Sequence, residues 1–106
     1  MAREEAVKAG IAATRTSEYR ANAWYNLATL FAASNEAGSV EHCLRNAIAW
    51  APNWFKPHWT LAQLLEMASR HDPALAEAAE AAKLDAGHDP EVIETWQHLQ
   101  KIQPKP

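Results

Sequence analysis

One cysteine, three glycines and no long apolar run set the first limits on this 106-residue chain. Cys43 has no second cysteine to pair with, so no internal disulfide can staple the fold, and its place beside apolar helical positions reads as a buried, reduced thiol. The glycines, Gly10, Gly38 and Gly87, are isolated from one another, which excludes a glycine-rich phosphate loop. Nothing approaches the roughly 20 consecutive apolar residues that span a bilayer, and Met1-Ala2-Arg3-Glu4-Glu5 lacks a signal peptide's apolar segment. The piece therefore reads as soluble, cytoplasmic by default and without membrane insertion of its own. Positive charge is short as well. Ten Lys and Arg against 13 Asp and Glu leave a net charge of −3, with no basic stripe to neutralise phosphates, so nucleic acid is excluded as a partner.

What is present favours helix. Alanine is abundant and β-branched residues are few, and 48% of the chain is hydrophobic, enough for one modest core, so a single all-α domain over residues 1–106 is expected. Apolar spacing predicts about six helices. The first, about Arg3 to Thr16, carries Ala6, Gly10 and Ala13 on one face. The second, Arg20 to about Ala33, carries Trp24, Leu27, Ala28, Leu30 and Phe31, and Ser34 to Gly38 breaks it. Ser39 is placed to cap the third, whose apolar set is Val40, Cys43, Leu44, Ala47, Ile48 and Ala51. The fourth runs from Trp54 to Arg70, with Pro57 tolerable in its first turn and Leu61, Ala62, Leu64, Leu65 and Ala68 facing inward. Asp72-Pro73 reads as cap and first-turn proline for the fifth, which stops near Gly87. Asp89-Pro90 repeats the device for the sixth, with Val92, Ile93, Trp96, Leu99 and Ile102 apolar.

Setting residue 21 over residue 55 aligns the chain with itself at a spacing of 34 without a gap. Trp24, Leu27, Ala28, Phe31, Val40, Leu44, Ala47 and Pro52 meet His58, Leu61, Ala62, Leu65, Ala74, Ala78, Ala81 and Ala86. On these residues the chain resembles the tetratricopeptide-repeat family. The resemblance implies a helical-hairpin solenoid, an α–α superhelix whose first helices line a concave peptide-binding groove. It divides the chain into the second half of a truncated repeat (1–20), a repeat (21–54), a degenerate repeat (55–88) departing at His58, Ala78 and Ala86, and a capping helix (89–103). There Thr95 replaces the leucine and Trp96 the small residue. The register starts the chain halfway through a repeat, as in a fragment of a longer protein.

No constellation for catalysis emerges, so the fragment is expected not to be an enzyme and to need no metal or cofactor. The histidines at 42, 58, 71, 88 and 98 never fall at i, i+4 on one helix face, and read as isolated surface or cap residues. His42 and Cys43 are adjacent and so point about 100° apart on a helix, too divergent for a base and nucleophile. Glu4, Glu5, Glu77 and Glu80 read as solvent-face charges.

The resemblance carries the groove positions onto Asn22, Tyr25 and Thr29, then Lys56, Trp59, Gln63 and Glu66. Tyr25, Trp59 and Ile93 share one position in successive units, an aromatic and aliphatic strip suited to a peptide or protein segment, although packing between helices would also account for the two rings. The family's carboxylate clamp is not supported, because Tyr25, Thr29 and Thr60 stand at its positions. The expected role is thus a non-catalytic interaction or scaffold module. The stretch Asn53–Glu66 and the alanine-rich end are also similar to C-terminal tails of bacterial O-antigen polymerase or ligase-like membrane proteins, which would place sugar-joining chemistry upstream. A glycosyltransferase's substrate-binding arm also uses such repeats. Finally, the face of Ala6, Gly10 and Ala13 lacks a packing helix and offers a surface for homo-oligomerisation. If that face pairs, the mass from light scattering rises with protein concentration; a constant monomer mass rejects it.

Overall fold

The structure is a computed structural model that describes residues 20–102. Those residues form five α-helices and no strand: α1 (Arg20–Ala33), α2 (Ala37–Trp50), α3 (Phe55–Met67), α4 (His71–Asp85) and α5 (Pro90–Lys101). The helix expected near the N-terminus, with its self-association face, and the tail after residue 102 lie outside the described residues. The chain divides into two compact units, Met1–Pro52 and Asn53–Pro106.

In the first unit α1 packs on α2 as a hairpin. Leu27 and Ala28 of α1 and Val40, Cys43, Leu44 and Ala47 of α2 are its buried apolar side chains. Small Ala28 and Ala47 allow close helix approach, while the leucines fill the space beside them. Two tryptophans sit at its margins: Trp24 meets the His42 ring edge-on, centroids 5.8 Å apart, and the Arg20 guanidinium lies 4.6 Å from the Trp50 ring centroid.

In the second unit α4 packs against both α3 and α5. Its buried apolar side chains are all alanines, Ala74, Ala78 and Ala81, against Leu61, Ala62 and Leu65 of α3 and Val92 and Leu99 of α5 in the same core.

The two hairpins repeat one another at an offset of 34 in backbone detail. α1 and α3 end at Ala33 and Met67, and α2 and α4 begin at Ala37 and His71. Between them Asn35 and Ser69 each take φ 60°, the left-handed conformation that terminates a helix. The Glu36 amide donates to Phe31 O at 3.1 Å and the Asn35 amide to Ala32 O at 3.0 Å; the Arg70 amide donates to Leu65 O and the Ser69 amide to Glu66 O, both at 2.9 Å. These paired bonds satisfy carbonyls that a helix end otherwise leaves open. Glu36 and Arg70 then accept the first bonds of the next helices, from the Val40 and Ala74 amides.

That turn changes the expected caps. Ser39 lies inside α2, and Asp72 inside α4, because the second helix of each hairpin starts on the backbone delivered by the turn, with Glu36 and Arg70 at N-cap positions and no side-chain cap bond. Ala37 and Gly38, expected in the break, are helical for the same reason. α3 is also shorter than expected, running from Phe55 to Met67, since Ser69 turns left-handed; Ala68 is exposed. Asp89-Pro90 behaves as expected: Asp89 Oδ1 accepts from the Glu91 amide at 3.0 Å and Pro90 opens α5.

A hydrogen-bonded pair, a buried ring with a half-buried carboxylate, occupies two of the shared positions in the second hairpin. His58 stands where Trp24 stands in the first, and Glu77 where Cys43 stands. His58 is only 6% exposed, and its Nδ1–H donates to Glu77 Oε1 at 2.7 Å. The expectation that His58 is a surface or cap histidine and Glu77 a solvent-face charge is corrected here. A polar ring buried at this position needs a partner, and Glu77, 19 residues on, provides it.

Glycine and serine are each placed against local preference. Gly38 is helical and a Cβ there would meet nothing within 4 Å, whereas Ser69 holds a left-handed conformation that glycine adopts without steric cost. Gly38→Ala and Ser69→Gly are each expected to stabilise the fold by roughly 0.5–1 kcal/mol, read as higher midpoints in urea unfolding; the reverse behaviour at Ser69 would deny the turn its assigned conformation.

Candidate functional site

α5 is held at a set angle to α4 by the loop between them. Asp85, buried at the end of α4, accepts the Asp89 amide on Oδ2 at 2.7 Å, while His88 Nδ1–H donates to the Asp85 carbonyl at 2.7 Å. Ala86 and Gly87 reverse the chain with φ 55° and 80°, and the capped Asp89-Pro90 step starts the next helix. This brings one face of α5 opposite α3.

Between α3 and α5 lies a cleft of about 300 Å³ lined by Trp59, Gln63, Glu66, Glu91, Glu94, Thr95 and His98. Each wall is one helical stripe: Trp59, Gln63 and Glu66 stand at i, i+4 and i+7, and Glu91, Glu94, Thr95 and His98 at i, i+3, i+4 and i+7. Two bonds cross it. Trp59 Nε1–H donates to Thr95 Oγ1 at 2.9 Å, and the Thr95 hydroxyl donates in turn to the Glu91 carbonyl at 2.9 Å. His98 Nε2–H donates to Glu66 Oε2 at 2.7 Å. The Thr95 departure from the repeat pattern thus has a structural role: a leucine could not accept the indole proton. Three carboxylates line the cleft and no lysine or arginine does.

Of the residues assigned to partner binding, Trp59, Gln63 and Glu66 come together in this cleft. Lys56 is exposed on α3 but does not line it. Half-buried Ile93 is turned away, its Cδ1 lying 3.9 Å from where a Cβ on Gly87 would stand, so it packs at the α4–α5 loop. Asn22 and Thr29 are exposed and Tyr25 half-buried, on α1 in the first unit. Glu91, Glu94 and His98 belong to the site although the groove positions do not include them. Their spacing with Thr95 forms a polar stripe in the sequence, but it carries no apolar signal and lies off the buried face of α5.

Among the described residues no three His, Cys, Asp or Glu side chains gather to hold a metal ion, and no helix is long and apolar enough to cross a membrane. No family model matches the sequence, and no curated protein matches it either.

Cys43 is the one thiol, 1% exposed, and burial pushes its pKa up from 9.0 to about 11. Folding therefore favours the neutral thiol. The resulting stabilisation is fully present below the unfolded value near 9 and is lost as pH rises toward about 11. At pH 8 the native thiol should react with a disulfide reagent roughly a hundredfold more slowly than the urea-unfolded chain. Equal rates would mean that Cys43 is open to solvent.

Proposed function

We propose that this chain is a tetratricopeptide-type helical-repeat module that binds a peptide or protein segment and catalyses no reaction itself. The observation that carries the reading is the agreement of two hairpins at an offset of 34 residues. Helix ends, the left-handed turn residue, the bridging amide bonds and five buried positions all coincide: Leu27 with Leu61, Ala28 with Ala62, Val40 with Ala74, Leu44 with Ala78, and Ala47 with Ala81. Repetition of a hairpin that buries one face and leaves another open is the device by which helical repeats present a long binding surface.

The α3–α5 cleft supplies a receiving surface of suitable make. It joins an indole fixed by a hydrogen bond to side chains that accept hydrogen bonds from an extended chain. Its walls are helices, so the polar groups are held in place before a partner arrives.

The reading is tested by placing a photo-crosslinking residue at Gln63 and, separately, at Ala76, which is exposed on α4 away from the cleft. A discrete adduct with a cellular protein at position 63 and none at position 76 is expected. The same adducts at both positions, or none at either, would count against a partner in the cleft.

A further inference from the structure

We infer that the cleft between α3 and α5 receives a lysine or arginine side chain from an extended partner segment, laid along Trp59 and paired with Glu91 and Glu94. This rests on the interaction-module reading and adds the partner's chemistry to it.

Charge is the first argument. Glu66, Glu91 and Glu94 line the cleft without a lysine or arginine among them, and Glu66 already accepts from His98. The Glu91 and Glu94 carboxylates have no partner among the described residues. They lie one helical turn apart on one face, where like charges repel and a cation between them is favoured. The surrounding unit has the same sign. Asn53–Pro106 holds eight acidic and five basic residues, a net −3, whereas Met1–Pro52 holds five of each, so the second unit carries the chain's entire net charge. An approaching cationic segment is attracted by this field and an anionic one repelled.

The shape of the cleft narrows the occupant. About 300 Å³ accommodates a long side chain or two, not a helix. The indole N–H is spent on Thr95, so the ring offers the entering group its π-face and edge. A lysine or arginine matches both features, with an aliphatic stem for the indole and a charged head for the carboxylates. A bare metal ion does not, since no three ligating side chains converge among the described residues.

The test uses the full chain and the 1H–15N indole signal of Trp59, assigned by its loss in Trp59→Phe. Three probes are titrated at low salt: a blocked hexapeptide of alternating lysine and leucine, its glutamine-for-lysine counterpart, and spermidine. The lysine peptide is expected to shift the Trp59 signal at concentrations where the glutamine peptide and spermidine do not, since only the lysine peptide adds backbone contacts to the cation. In the Glu91→Gln/Glu94→Gln double variant, whose helix content should match the parent because both residues are exposed, the lysine peptide should bind about fivefold more weakly. Equal shifts from the glutamine peptide, or unchanged affinity in the double variant, overturn the cation preference and leave the interaction module standing. An equal response to spermidine overturns the peptide as occupant. Shifts confined to other indoles overturn the cleft as the site. Failure of both peptides to shift any signal removes the proposal and counts against the interaction module as well.

Discussion

The left-handed residue that ends α1 at Asn35 and α3 at Ser69 governs where the second helix of each hairpin begins. The amide after it bonds back to a carbonyl of the finished helix, and the carbonyl of that same next residue accepts the first bond of the new one, so the starting position is set by backbone alone. A helix that starts one residue early or late rotates its buried face by about 100°. The alignment of Val40, Leu44 and Ala47 with α1, and of Ala74, Ala78 and Ala81 with α3, therefore depends on those turns.

With the backbone phase fixed in this way, side chains at the shared positions are free to differ in chemistry. The first hairpin has Trp24 and Cys43 where the second has His58 and Glu77. One set is an aromatic ring and a neutral thiol that burial keeps protonated; the other is a hydrogen-bonded ring and carboxylate. Replacing Glu77 by an apolar residue would leave His58 Nδ1 without this partner, which costs about 1–3 kcal/mol. The alanines and leucines tolerate less, since they determine how near the helices lie. In the second unit this spacing, together with the Asp85–Asp89 loop, decides how far α5 stands from α3 and hence the width of the cleft.

The helices are legible in the chain because their signal is local. Apolar residues at three- and four-residue spacing predict α1 through α5, and the 34-residue register predicts that α1 and α2 are matched by α3 and α4. The caps mislead where a strong local candidate, Ser39 or Asp72, competes with a turn set by the backbone, which asparagine favours at Asn35 but which no residue type announces at Ser69. Serine in the left-handed position is uncommon, and nothing in the stretch Ala68–Arg70 marks it. Asp89-Pro90 is legible because there the cap is a side-chain bond made by the residue itself. The polar pair at His58 and Glu77 is hidden, since periodicity assigns each residue a face but says nothing of what lies opposite, 19 residues away.

By itself the sequence determined the helical class, the period of the repeat, the alanine and leucine positions that fill each hairpin, and the presence of Trp59, Gln63 and Glu66 on one stripe of α3. These arise from steric preferences and apolar spacing within a single helix turn or two. Only the tertiary structure decided that this stripe faces Glu91, Glu94, Thr95 and His98, that Ile93 turns away from it, and that His58 is buried against a carboxylate. Those outcomes depend on the angle and separation of helices joined through loops, and the energies that set them arise between residues far apart in the chain.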